Sequence, residues 1–267
     1  MKKYNAIYYL LFILLVMGAF ASMAQNGYGL KIMGGVAFVF ALVFMIEFTS
    51  LLRKKNNGDV YALAEAACLF ILSIVFGLRV FYIHFSYIEL LFGAAGVILV
   101  LLYLRKMMIR FRHYQQRNNF LALLVLFFHL SIILFLVSLT LVPFAPKTSE
   151  VTGAVAFVLL FGFIVAAFFK SDLLVEGEKI SAFNMVRNLK DHSVIIASLF
   201  LLFSLYLGFN RIGVLPGIYS DEFPRAYFEL VDMAATKKEK PVDGKYKYEE
   251  FMKKYQQFLE HNNVKNQ

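Results

Sequence analysis

Residues 60–104 read VYALAEAACLFILSIVFGLRVFYIHFSYIELLFGAAGVILVLLYL, an almost unbroken apolar run whose division decides the fold. As a single helix it would extend about 67 Å at 1.5 Å per residue, far beyond the roughly 30 Å hydrocarbon core of a bilayer. A turn around His84-Phe85-Ser86 divides it into two spans, near 60–82 and 87–104. Outward from there, five more stretches reach the ~20 apolar residues that a crossing requires. They lie near 6–24, 29–52, 119–142, 151–169 and 193–210. The expected fold is all-α: a polytopic bundle of about seven transmembrane helices over 1–210, then an extracytoplasmic helical tail over 211–267.

Composition agrees. The chain is 60% hydrophobic and 17% charged, with a mean hydropathy of +0.66. Soluble domains carry about 25% charged residues. That contrast argues against a soluble enzyme, a disordered protein and a nucleic-acid-binding domain. The lone cysteine, Cys68, lies in an apolar run, so neither a disulfide framework nor a cysteine metal site is expected.

Basic residues orient the spans, because short cytoplasmic loops retain lysine and arginine. With the amino terminus inside, the inner segments hold fourteen: Lys2, Lys3, Arg53, Lys54, Lys55, Arg105, Lys106, Arg110, Arg112, Arg117, Lys170, Lys179, Arg187 and Lys190. The outer loops hold Lys147, with Lys31 at a helix edge. Five inner acids (Asp59, Asp172, Glu176, Glu178 and Asp191) leave +9 on that face, equal to the formal charge of the whole chain. Seven spans then place the carboxyl terminus outside. Lys2-Lys3, the first apolar run and Ser22-Met23-Ala24-Gln25 also resemble a cleavable secretory signal. Cleavage would leave six spans in the same orientation. A retained helix is the expectation, packing closely through Gly18 and Ser22.

Three soluble pieces follow. Arg105, Lys106, Arg110 and Arg112 alternate with apolar residues between spans four and five, a pattern suited to anionic lipid headgroups. Within 170–192, Ile180, Phe183, Val186 and Leu189 recur every third residue and predict a short amphipathic helix at the inner interface. The tail holds ten basic and nine acidic residues, so it has no charge bias toward lipid. Phe223, Tyr227 and Leu230 form the apolar face of one predicted tail helix, and Tyr248, Phe251, Tyr255 and Leu259 that of a second. Two such helices bury too little surface to stand alone, so they are expected to dock on the bundle or on a partner.

Ionisable groups inside spans are costly and face the protein interior. Arg79 and Glu89 lie within about 5 Å of the outer edge on consecutive antiparallel spans, and are expected to form a structural ion pair. Glu47 and Glu65 both lie roughly 8 Å inside the inner edge. They are candidates for sharing a proton or cation, unless each reaches the interface or pairs with Arg53 or Lys54. His129, near the middle of span five, is a third proton candidate. Haem is not expected, since no second histidine lies at its depth.

The chain lacks HExxH, GxSxG, a phosphate-binding loop, an aspartate within a span and a lysine in the last span. No enzyme activity, cofactor, metal or nucleic-acid partner is expected. The reading that results is a non-catalytic subunit or scaffold of a multiprotein envelope complex. It would bind other membrane or periplasmic proteins through its tail and lateral helix faces, and anionic lipid at its cytoplasmic face. The alternative is a proton-coupled transporter of a small solute or ion using Glu47, Glu65 and His129. Short loops and a basic amino terminus fit a bacterial inner membrane.

Overall fold

A computed structural model describes residues 5–24, 28–53, 60–81, 83, 87–142, 144–169, 173–175, 178–180, 189, 192–212 and 214–215. Among the described residues seven helices dominate: α1 (Asn5–Met23), α2 (Tyr28–Arg53), α3 (Val60–Val80), α4 (Ile88–Gln115), α5 (Asn119–Leu141), α6 (Pro146–Phe169) and α7 (Ser193–Arg211). All seven are long and apolar enough to cross a membrane. They form an all-α bundle whose surface carries large apolar side chains, among them Leu42, Leu101, Val158, Phe161 and Phe203. Such a surface suits lipid and would be a liability in water.

Consecutive helices pack side by side from α1 to α6, and α7 lies against α5 and α6. Helix α5 is the centre, burying Leu121, Leu124, Val125, Phe128, Ile132, Phe135 and Leu136. Its start is fixed by Asn118, whose extended backbone lets the side-chain oxygen accept from the amides of Phe120 at 2.8 Å and Leu121 at 3.2 Å. At the far end, Ser138 and Ser149 each donate to the other's carbonyl, at 2.7 and 2.8 Å, and tie α5 to α6.

Two glycines permit the closest helix contacts. A Cβ on Gly29 of α2 would meet the backbone nitrogen of Ser22 on α1 at 2.2 Å. One on Gly96 of α4 would meet the Thr140 methyl of α5 at 1.9 Å. Gly18 also faces α2, against Ile32 and Met33. Small residues thus bring backbones together where lipid supplies no hydrophobic drive.

One boundary moves and one expectation needs correction. The basic stretch 105–112 is a helix end, as its alternation of cations and apolar residues suggests, and α4 runs past the expected bound near 104 to Gln115 before the chain turns at Gln116–Asn118. Its 28 residues extend about 42 Å, so the helix outruns the hydrocarbon and carries its cations into the headgroup layer. Ile180 is in a strand and not a helix. Leu173–Val175 pairs antiparallel with Glu178–Ile180, with Leu173 opposite Ile180. Three-residue spacing over so few positions does not separate helix from strand. Leu189 is half-buried against the core, whereas Phe183 and Val186 lie outside the described residues.

Candidate functional site

One end of the bundle carries Arg53, Arg105, Arg112 and Arg117, and a charged cluster is buried just inside this basic end. Glu65 of α3 is 2% exposed. Its Oε1 accepts from the Tyr103 hydroxyl and its Oε2 from Lys106 Nζ, both at 2.6 Å. Tyr103 and Lys106 are three residues apart and share one face of α4. Glu47 of α2 accepts from His192 Nε2 at 2.9 Å. His192, immediately before α7, also turns Nδ1 toward Glu65 Oε1 at 3.7 Å. It therefore stands between the two carboxylates. Burial opposes charge on His192, but its hydrogen bond to Glu47 and the negative charge of both carboxylates outweigh this, raising its pKa to about 9.

A second pair adjoins the first. Arg110 NH1 lies 2.6 Å from His129 Nε2 and makes a longer 3.5 Å contact with Ser193 Oγ. A guanidinium only donates, so His129 Nε2 is the acceptor and the ring proton is assigned to Nδ1. Nδ1 lies 2.8 Å from the Val125 carbonyl, which accepts that proton. His129 thus accepts from Arg110 through one nitrogen and donates to its own helix through the other.

Helix direction and helix face together explain the inward turn of these cations. Side chains lean toward the amino terminus of their helix. Helix α4 runs toward the basic end, so its side chains lean back along the bundle, and helix α5 runs away from that end, so His129 leans toward Arg110. Which cations turn inward is set by helix face: Lys106 and Arg110 follow buried Tyr103 at three and seven residues, whereas Arg105 and Arg112 lie on the opposite side. The four cations expected at lipid headgroups therefore divide. Arg105 is exposed and lies over the Tyr61 ring, 3.3 Å from its centroid, and Arg112 is also exposed. Lys106 and Arg110 are turned to Glu65 and His129.

Glu47 and Glu65 come together, but across His192 and not directly. His129 belongs to the neighbouring pair. At the opposite end Arg79 donates to Glu89 and lies over the Phe92 ring. The docking residues Phe223, Tyr227, Leu230, Tyr248, Phe251, Tyr255 and Leu259 lie outside the described residues. Among those described, no group of three or more His, Cys, Asp or Glu residues could hold a metal ion.

Fold and cluster define a class: an integral, multi-pass helical membrane protein with hydrogen-bonded charged groups buried at its basic end. No family model, curated protein or solved structure matches the chain.

Proposed function

We infer that the chain is a non-catalytic subunit or scaffold of a multiprotein envelope complex in a bacterial inner membrane. Its basic end is cytoplasmic, where Arg105 and Arg112 meet anionic lipid. Its tail, 211–267, is extracytoplasmic and docks other membrane or periplasmic proteins, aided by lateral helix faces. The observation that carries this reading is that each buried charged group of the cluster has a polar partner. Glu47 pairs with His192, Glu65 pairs with Lys106, and Arg110 donates to His129, all at one end. Farther along the same helices the buried residues include Leu69, Leu99, Ile132, Phe135, Leu136 and Phe200. Ion pairs that cross-brace helices beside an apolar core suit a rigid framework better than a polar path. The patterned tail supplies the docking surface.

Proton-coupled transport is the second reading, favoured by the histidine set between two carboxylates. The two differ in a direct test by native mass spectrometry of the protein extracted in mild detergent. Under the subunit reading, a stoichiometric complex survives Glu47→Gln and disappears on deletion of 221–267. A lone monomer or homodimer, or a complex indifferent to the deletion, would overturn it. Glu65→Gln is unsuitable as the silent control, because it strands Lys106.

A further inference from the structure

His192 is held differently at its two nitrogens. Nε2 is hydrogen-bonded to Glu47, whereas Nδ1 is buried, has no hydrogen-bond partner and faces Glu65 Oε1 at 3.7 Å. The side chain is 4% exposed, with Phe44 edge-on to its ring. Several charged or titratable groups surround it. Glu47 comes from α2 and Glu65 from α3. Tyr103 and Lys106 of α4 lie behind Glu65, and Arg110 reaches the adjacent Ser193 while contacting His129 of α5.

A neutral imidazole has only one N–H. With that proton on Nε2 for Glu47, Nδ1 would turn a lone pair toward the Glu65 carboxylate. The imidazolium turns an N–H to each. Loss of the proton therefore removes the N–H that Nδ1 turns to Glu65 and the positive charge set between the two carboxylates, and with it the attraction that holds the ring to both.

We propose that His192 is a proton-operated latch, clamping the start of α7 to α2 and α3 through Glu47 and Glu65 when protonated and freeing it when neutral. The place matters because the buried residues of α7 cluster at its start: Ser193, Ile195, Ile196, Ala197 and Phe200 are buried, and among the described residues none of 201–210 is. Glu47, 17% exposed, gives the proton its route from the basic end. The latch stands independently of whether the tail docks a partner.

The raised pKa sets the window and its sign. A group whose pKa rises on folding adds stability that is complete below its unfolded value, about 6.5. That stability is lost as pH climbs from there through about 9. Hydrogen exchange by mass spectrometry on the full chain in micelles tests it, at pH 6 and pH 9.5 with times scaled for intrinsic exchange. In the native protein, protection at Ile196, Ala197 and Phe200 should fall at least tenfold between the two, while Val125–Ile132 of α5 keep theirs. His192→Gln should exchange fast at both pH values. Glu47→Gln, which keeps the ring and removes one carboxylate, should move the loss to lower pH. Equal native protection at both pH values, a pH-dependent loss persisting in His192→Gln, or an unmoved midpoint in Glu47→Gln would each overturn the latch.

Discussion

Glu65→Leu is expected to destabilise the bundle by about 3 kcal/mol, the lower end of the range for breaking a buried ion pair. Lys106, with 18% of its side chain exposed, would keep some water and hence some compensation. It would still lose its carboxylate at 2.6 Å, while Tyr103 would lose its acceptor and His192 one of its two counter-charges. The second half of the expectation is the sharper one. Adding Lys106→Met removes the stranded cation and leaves Glu47 and His192 balanced. The double variant should therefore recover about 2 kcal/mol, with the remainder lost through the Tyr103 hydroxyl. Reversible unfolding in mixed micelles measures both. A double variant no more stable than Glu65→Leu alone would show that the pair's charges do not govern this end.

The second large effect is expected at Gly29. Even Gly29→Ala places a Cβ 2.2 Å from the Ser22 nitrogen and 2.5 Å from its Cα, backbone atoms that cannot turn aside. Helices α1 and α2 must then separate, at an expected cost of about 3 kcal/mol. Gly96→Ala is the comparison. Its nearest obstacle is the Thr140 methyl, which can rotate, so a cost of about 1 kcal/mol is expected despite the shorter contact. Thermal melts followed by circular dichroism rank the two, and equal melting of Gly29→Ala and the native protein would contradict the close approach of α1 and α2.

The spans were legible because lipid leaves few alternatives: backbone groups must bond internally, and a helix of apolar residues does so. Residue counting also placed Glu47 and Glu65 at one depth. It missed His192, which sits one residue before α7 and reads as part of a polar loop. A histidine beside Ser193 at the foot of a span, level with two carboxylates, was the available signal. Counting also missed the inward turn of Lys106 and Arg110. Positive charge beside a span reads as a headgroup contact, and what reverses that is the continuation of α4, which puts Lys106 and Arg110 on the same face as buried Tyr103. The strand pair of Leu173–Val175 and Glu178–Ile180 is hidden in the sequence because apolar residues three apart also fit a helix face, and pairing between two short segments leaves no periodic signal.

The central claim is that the charged clamp faces the cytoplasm at one end of seven spans. Single cysteines at Gln116 and Thr148, both exposed, test this most directly in a Cys68→Ala background. Intact cells are treated with a membrane-impermeant maleimide before and after permeabilisation. Thr148→Cys should label at once and Gln116→Cys only after permeabilisation. The reverse pattern, or labelling of both in intact cells, would contradict the account.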